Sequence, residues 1–166
     1  MSCNVLHIAN DYSGSKVYSE LVKALADLGL KQTVYTAVRN ETLIGRNQVE
    51  ASGLKIVYCN ILTKYHRINF FAKTRTIKKS LDKSVRGNYD CDVVHAHTWY
   101  SDGAVALRVW KDEGIPYVIT IRNTDVNIFL KYMLHLRKPG REILMNASKI
   151  VLLSYIYKER ILQHPA

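Results

Sequence analysis

The sequence lacks the features of several protein classes. It has no apolar run near the roughly 20 residues that a membrane-spanning helix needs, and no basic start before an apolar stretch, so we expect no signal peptide. Three prolines and eight glycines exclude collagen-like and low-complexity chains. The cysteines are Cys3, Cys59 and Cys91, an odd number without a CxxC pair, which predicts buried free thiols in a reducing compartment and no zinc site.

The composition is that of one globular domain with an excess of positive charge. The chain has 166 residues, of which 48% are hydrophobic and 23% charged, enough for a proper hydrophobic core. Lys and Arg number 24 against 14 Asp and Glu, which gives a net charge of +10. Where this charge lies along the chain decides which acidic partner it indicates.

Short apolar runs alternate with helical periodicity along almost the whole chain. The predicted strands cover residues 3–9, 32–38, 54–58, 92–97, 116–121 and 149–153. The predicted helices cover residues 17–28, 64–87, 101–113, 126–136, 139–147 and 154–162. Because the strands are continuous apolar runs, they predict a doubly wound α/β fold, with a mostly parallel, Rossmann-like sheet of about six strands and helices on both faces.

Ligands of such a sheet bind beyond the carboxyl ends of its strands, which directs attention to the loop after the first strand. There Ser13, Gly14, Ser15 and Lys16 open a helix, and backbone N–H groups at a helix start favour an anion. An ordinary helix cap explains the same residues equally well. The G-x-G-x-x-G fingerprint and the P-loop are both absent, which disfavours an NAD enzyme and an NTPase.

Two histidines end the fourth predicted strand. We expect the side chains of His95 and His97 to point to opposite faces of the sheet, one packed under a helix and the other in the cleft. His97 is nearer the strand end and is therefore our candidate for the functional one. On opposite faces the two could not share a metal ion.

Polar residues also follow the fifth predicted strand. Arg122 is suited to grip a phosphate or carboxylate through its guanidinium fork, and Asn123 lies beside it. Asp125 is expected to cap the next helix, and an ion pair between Arg122 and Asp125 is the alternative.

Taken together and in order, these segments resemble the amino-terminal half of a family 4 glycosyltransferase of the GT-B fold. The opening strand leads through a small-residue loop to a helix that ends in Leu25-Ala26-Asp27-Leu28-Gly29. Three later segments match motifs of that family, namely Asp92-Val93-Val94-His95-Ala96-His97, Ile115-Pro116-Tyr117-Val118-Ile119-Thr120-Ile121 and Ala147-Ser148-Lys149-Ile150-Val151-Leu152-Leu153-Ser154.

The resemblance implies a retaining transfer of a sugar from a nucleotide-sugar donor to a glycan or lipid-linked acceptor, without a metal or other cofactor. It implies that residues 1–166 form the single acceptor-side domain, that the donor-binding domain is absent from this chain, and that the chain alone is inactive. Cell-surface polysaccharide synthesis and a cytoplasmic location, peripheral at the inner membrane face, are further expectations. The substrate-binding residues expected are Ser13, Gly14, Ser15, Lys16, His97, Arg122, Asn123 and Asp125.

Two positions depart from the family pattern. The first loop usually has two adjacent glycines, whereas here Ser13 precedes Gly14. A histidine usually follows the fifth strand, and here that place holds Arg122. Because arginine stays protonated, it cannot shuttle a proton, but it can stabilise anionic charge, so we expect it to bind the acceptor or a phosphate.

Most of the positive charge lies in residues 64–86, which hold eight Lys or Arg and one Asp. A basic amphipathic helix there predicts contact with an anionic membrane surface through Lys73, Arg75, Lys78, Lys79, Lys83 and Arg86. The alternative is a solvated helix that packs its apolar stripe on the sheet. Nucleic-acid binding and a non-catalytic scaffold are rival functions, although no nucleic-acid-binding motif is present.

Overall fold

The computed structural model describes residues 3–85 and 88–163, which form a six-stranded parallel sheet covered by helices on both faces. The strands are β1 (Asn4–Ile8), β2 (Lys31–Val38), β3 (Leu54–Asn60), β4 (Val93–Ala96), β5 (Tyr117–Ile121) and β6 (Lys149–Leu152). The helices are α1 (Lys16–Asp27), α2 (Phe70–Ser84), α3 (Ser101–Glu113), α4 (Arg137–Met145) and α5 (Tyr155–Leu162). The predicted doubly wound α/β fold is confirmed.

The strand order is β3-β2-β1-β4-β5-β6, so the direction of winding reverses between β1 and β4. One hydrophobic cluster lies on the face that carries α2, α3 and α4, and a second, smaller cluster joins α1 to β2. A crevice therefore forms where the loops after β1 and β4 separate to opposite faces, which is the usual ligand position in such sheets.

The amphipathic stripe predicted for the basic segment packs as the alternative reading expected. Thr74, Ile77 and Leu81 of α2 are buried, and α2 lies against α3. The helix begins at Phe70 rather than at residue 64, because Asn69 caps it through a hydrogen bond from the backbone N–H of Ala72 to its side-chain oxygen.

Other local expectations need correction. The helix predicted over 126–136 is a π-helical segment, Asp125–Leu130, followed by a 3-10 turn, Leu134–Leu136. All three cysteines are free, but Cys3 is exposed and the other two are half-buried, so the prediction of buried thiols was wrong. Pro139 lies in the first turn of α4, where its missing N–H costs no helical hydrogen bond.

No helix within residues 3–85 and 88–163 is both long enough and apolar enough to cross a bilayer.

Candidate functional site

The crevice is built around Asn10, the second residue after β1. Its side-chain amide donates a hydrogen bond of 2.5 Å to Asp102 in the first turn of α3, and its oxygen accepts from the backbone of Ala37 in β2. Asp102 is not recognisable as a site residue from the sequence, because an acidic residue in a first helical turn is ordinarily a surface residue. Here Asp102 is completely buried, and burial raises its pKa to about 7 despite the attraction of Lys73.

The predicted anion loop is a tight turn that is anchored at both ends. The Ser13 hydroxyl donates to the carbonyl of Leu43 at 2.8 Å, and the Ser15 side chain caps α1 by accepting from the backbone N–H of Val17. Gly14 is exposed, and a Cβ placed on it would lie 2.4 Å from a carboxylate oxygen of Asp11. The loop is thus held by Ser13 and Ser15, while Gly14 and the exposed Lys16 face outward.

The two strand histidines lie on the same face, so the predicted opposite orientation was wrong. Residues two apart on a strand share a face, and the rings of His95 and His97 are 4.1 Å apart between centroids. His7, which pairs with His95 across β1 and β4, completes a cluster whose ring nitrogens come within 4.8 Å of one another. The orientation of the three rings would therefore allow a shared ion, although the cluster is held together by its own hydrogen bonds.

The hydrogen bonds of the three histidines connect side chains of neighbouring strands. One nitrogen of His7 lies 3.0 Å from the side-chain oxygen of Gln32, and the other lies 3.0 Å from Nε2 of His97. His95 Nε2 lies 2.8 Å from the hydroxyl of Thr120. Burial lowers the pKa of His7 to about 3 and that of His95 to about 4, and it also holds the pKa of His97 well below its usual range. All three imidazoles are therefore neutral at physiological pH.

His97 is buried rather than open to the cleft. Its Nδ1 atom has no hydrogen-bond partner within the described residues, and its backbone oxygen accepts a hydrogen bond from Nε of Arg122 at 2.9 Å. The side chain beside this cluster that reaches the crevice is therefore that of Arg122, which His97 holds through its backbone oxygen.

Arg122 is fixed on two sides. Its guanidinium carbon lies 4.3 Å from the centre of the Tyr18 ring, a cation–π contact with α1, while its Nε is hydrogen-bonded to His97. The charge of Arg122 acts on Asp11 in the first loop, where it opposes the rise in pKa that burial causes. In the described part of the chain, the two terminal amino groups of Arg122 have no hydrogen-bond partner. They remain available to an anion or a hydroxyl.

The prediction that Asp125 caps the next helix was wrong, because its carboxylate caps the turn before α3. Among the described residues it also forms no ion pair with Arg122, which was the alternative. Its carboxylate accepts from the backbone N–H groups of Trp99 and Arg122, each at 3.0 Å, and from that of Tyr100 at 3.4 Å. It is buried and therefore supports the site without facing a ligand. Asn123 is exposed beside it.

The basic residues of α2 differ from one another in exposure and in their partners. Lys73 is half-buried and donates to the Ser101 hydroxyl at 2.9 Å, on the side of the crevice. Lys78 is buried and forms ion pairs with Asp82 and Asp112. The residues of the predicted membrane surface that are exposed are Arg75, Lys79 and Lys83, whereas Arg86 lies outside the described residues.

Solved structures share this architecture at low sequence identity. Sucrose-phosphate synthase from Thermosynechococcus elongatus superposes with a TM-score of 0.73 at 16% identity, over 97% of this chain and 45% of that one. A putative UDP-N-acetylglucosamine 2-epimerase from Listeria monocytogenes gives 0.69 at 12% identity, over 98% and 42%. Arabidopsis thaliana UGT89C1, complexed with UDP, gives 0.65 at 12% identity, over 99% and 46%.

The chain therefore spans less than half the length of each of these three proteins, and the likeness shows a shared fold. No match was found among curated proteins. The sequence profile of Glycosyltransferase Family 4 matches residues 14–164, which is nearly the whole chain and includes α1, His95, His97 and Arg122. The chain belongs to glycosyltransferase family 4.

Proposed function

We propose that this chain is the acceptor-binding half of a retaining glycosyltransferase that moves a hexose from a nucleotide sugar to a glycan or lipid-linked acceptor. The observation that carries the proposal is Arg122, whose free amino groups lie at the winding reversal while Nε and the ring of Tyr18 hold the guanidinium in place. A fixed donor fork at that position suits hydroxyl or anionic groups of an acceptor.

In this proposal the chain binds and orients the acceptor. Arg122 stabilises negative charge near the reacting hydroxyl and moves no proton, because a guanidinium does not deprotonate. Gly14 allows a ligand to approach the start of α1 closely. The nucleotide binds to a second domain, which corresponds to the part of the structural relatives that this chain does not cover, and the chain alone is therefore inactive.

The setting we propose is polysaccharide synthesis at the cytoplasmic face of a membrane. Arg75, Lys79 and Lys83 are exposed on α2, and each basic residue near an anionic leaflet contributes about 1 kcal/mol of binding free energy. Co-sedimentation with vesicles of neutral and of anionic lipid measures this contribution. Equal binding to both would remove the electrostatic attachment and leave the acceptor site untouched.

The acceptor site is tested with the purified chain on a glycan array. We expect binding to a subset of glycans, which Arg122→Ala weakens by about tenfold or more and Arg108→Ala, in the middle of α3, leaves unchanged. Titration with UDP should give no saturable binding. UDP binding that depends on Arg122 would place the nucleotide in this crevice and overturn the proposal. Sugar transfer from UDP-glucose by these 166 residues alone would overturn the assignment of the nucleotide to a second domain.

A further inference from the structure

A small cleft of about 190 Å³ opens beside the crevice, between the starts of α2 and α3 and the π-helical segment. Three cations line it, namely Arg39 after β2, Arg67 before α2, and Lys73. Its other walls are largely apolar and include Phe70, Phe129, Met133 and Leu136. The cleft therefore combines positive charge with hydrophobic surface.

Arg39 and Arg67 have no anionic partner in the described part of the chain, whereas Lys73 is attracted by the carboxylates of Asp102 and Asp11. No carboxylate lies within 4.0 Å of Arg39, Arg67 or Lys73, although other lysines of the chain form such pairs. Burial and, after it, the charge of Arg67 lower the pKa of Arg39. Lys73 is fixed toward the cleft by its hydrogen bond to Ser101. Like charges held together repel one another, and an anion bound between Arg39 and Arg67 would relieve that repulsion.

The helix geometry adds to this field. Phe70 and Ser101 are the first residues of α2 and α3, and both line the cleft. The amino-terminal end of each helix carries a partial positive charge, which favours a negative ligand. This contribution reinforces the three side chains and would not by itself define a site.

The lining of the cleft includes one strongly exposed apolar side chain. Ile68, which lines the cleft, is 88% exposed, and three sequence neighbours of lining residues, Tyr65, Phe71 and Leu134, are exposed as well. A free sugar or an inorganic ion would gain no binding free energy from such an apolar rim. An anion attached to a hydrocarbon chain would use both the cations and the apolar surface.

We propose that the cleft binds the phosphate headgroup of an amphiphilic lipid phosphate, with Arg39, Arg67 and Lys73 around the phosphate and the hydrocarbon along the rim at Ile68. The volume fits a headgroup alone, because pockets that enclose drug-sized ligands measure about 300–1,000 Å³. The proposal rests on the proposed function in one respect, since it takes the lipid phosphate to be the membrane-linked end of the acceptor.

The direct test uses dihexanoyl phosphatidic acid, a monomeric probe, followed by amide chemical shifts or calorimetry. We expect saturable binding that Arg39→Gln/Arg67→Gln weakens by about tenfold or more. The matched control is Lys79→Gln/Lys83→Gln, which removes the same charge from the exposed part of α2 and should change affinity less than about twofold. Circular dichroism checks that both double variants are folded.

Two further probes separate the amphiphile from a plain anion. Inorganic phosphate should bind about tenfold more weakly than dihexanoyl phosphatidic acid, because it lacks the apolar part. Ile68→Ser should weaken binding of the lipid probe and leave inorganic phosphate unchanged. Equal affinity for both probes, equal loss in the two double variants, or no binding of the lipid probe would each overturn the proposal.

Vesicles distinguish the source of the phosphate. Attachment to vesicles with about 30 mol% dioleoyl phosphatidylglycerol is compared for the two double variants. If Arg39→Gln/Arg67→Gln loses attachment to the vesicles, the cleft binds headgroups of the leaflet. If only the control pair loses attachment, while binding of the monomeric probe still depends on Arg39 and Arg67, the cleft binds a single acceptor lipid. Monomer binding without any glycan binding on the array would remove the sugar-acceptor proposal and keep this site.

Discussion

The side-chain amide of Asn10 donates a hydrogen bond of 2.5 Å to Asp102, which joins the end of β1 to the start of α3 at the winding reversal. The other carboxylate oxygen of Asp102 is buried and has no hydrogen-bond partner within the described residues. Burial raises the pKa of Asp102 to about 7. The architecture of the crevice thus depends on a carboxyl group whose ionisation is unfavourable.

Asp102→Asn should change how stability depends on pH. Because the folded pKa lies above the unfolded one, the folded state binds an extra proton between about pH 4 and 7, and its stability falls as pH rises through that window. The variant lacks this loss. Relative to wild type, its free energy of unfolding should therefore rise by roughly 1 kcal/mol for each pH unit from about pH 4 to 7. Urea unfolding at several pH values measures this difference.

The control for Asp102 is Asp27→Asn, which removes a carboxylate from the exposed end of α1. The control should differ from wild type by a free energy of unfolding that changes little between pH 5 and 8. An equally constant difference between Asp102→Asn and wild type would contradict a strongly raised pKa of Asp102. About 1 kcal/mol per pH unit is well above the error of such measurements when the slopes are compared rather than single values.

His7 should stay neutral to low pH. Its pKa is lowered to about 3, whereas in the unfolded chain it is near 6.5, so the stabilisation from the neutral ring is present above pH 6.5 and is lost as pH falls below that value. Proton–carbon NMR of the ring should show no protonation above about pH 5. A titration midpoint above pH 6 would mean that the ring is not buried as described.

The charge of Arg122 should be visible at His95. Arg122 is the second cause, after burial, of the lowered pKa of about 4 at that histidine, so removing the charge moves the pKa upward. We expect the NMR titration of His95 to shift to higher pH in Arg122→Ala and to remain in place in Arg108→Ala. An unchanged His95 in Arg122→Ala would show that the guanidinium lies elsewhere.

The layer structure and the location of the crevice could be predicted from the sequence because they depend on local patterns. Apolar runs such as residues 116–121 indicate buried parallel strands, and the polar residues that follow them lie at one edge of the sheet. Ser15 caps α1 as its position before a helical pattern indicates. The orientation of His95 and His97 was also predictable, since the two-residue period places both on one face.

The contacts that shape the site were not predictable, because their partners are distant in sequence. Lys78 looks like one more surface charge until α3 brings Asp112 within 2.9 Å. Asp125 begins a helical segment, yet it caps backbone groups of Trp99 and Tyr100 that only the pairing of β4 with β5 brings close. These long-range contacts depend on the packed structure and are not visible in the hydrophobic periodicity of the sequence.

Asp125→Ala should destabilise the domain strongly. The substitution leaves the backbone N–H groups of Trp99, Tyr100 and Arg122 without their acceptor, and a buried unsatisfied donor costs about 1–3 kcal/mol. We expect the free energy of unfolding to fall by roughly 3 kcal/mol or more, measured in urea near neutral pH. Asp125→Asn keeps one acceptor oxygen and should lose less, and Asp27→Ala at the surface should lose little. Comparable losses in Asp125→Ala and Asp27→Ala would show that the turn before α3 is held by other contacts.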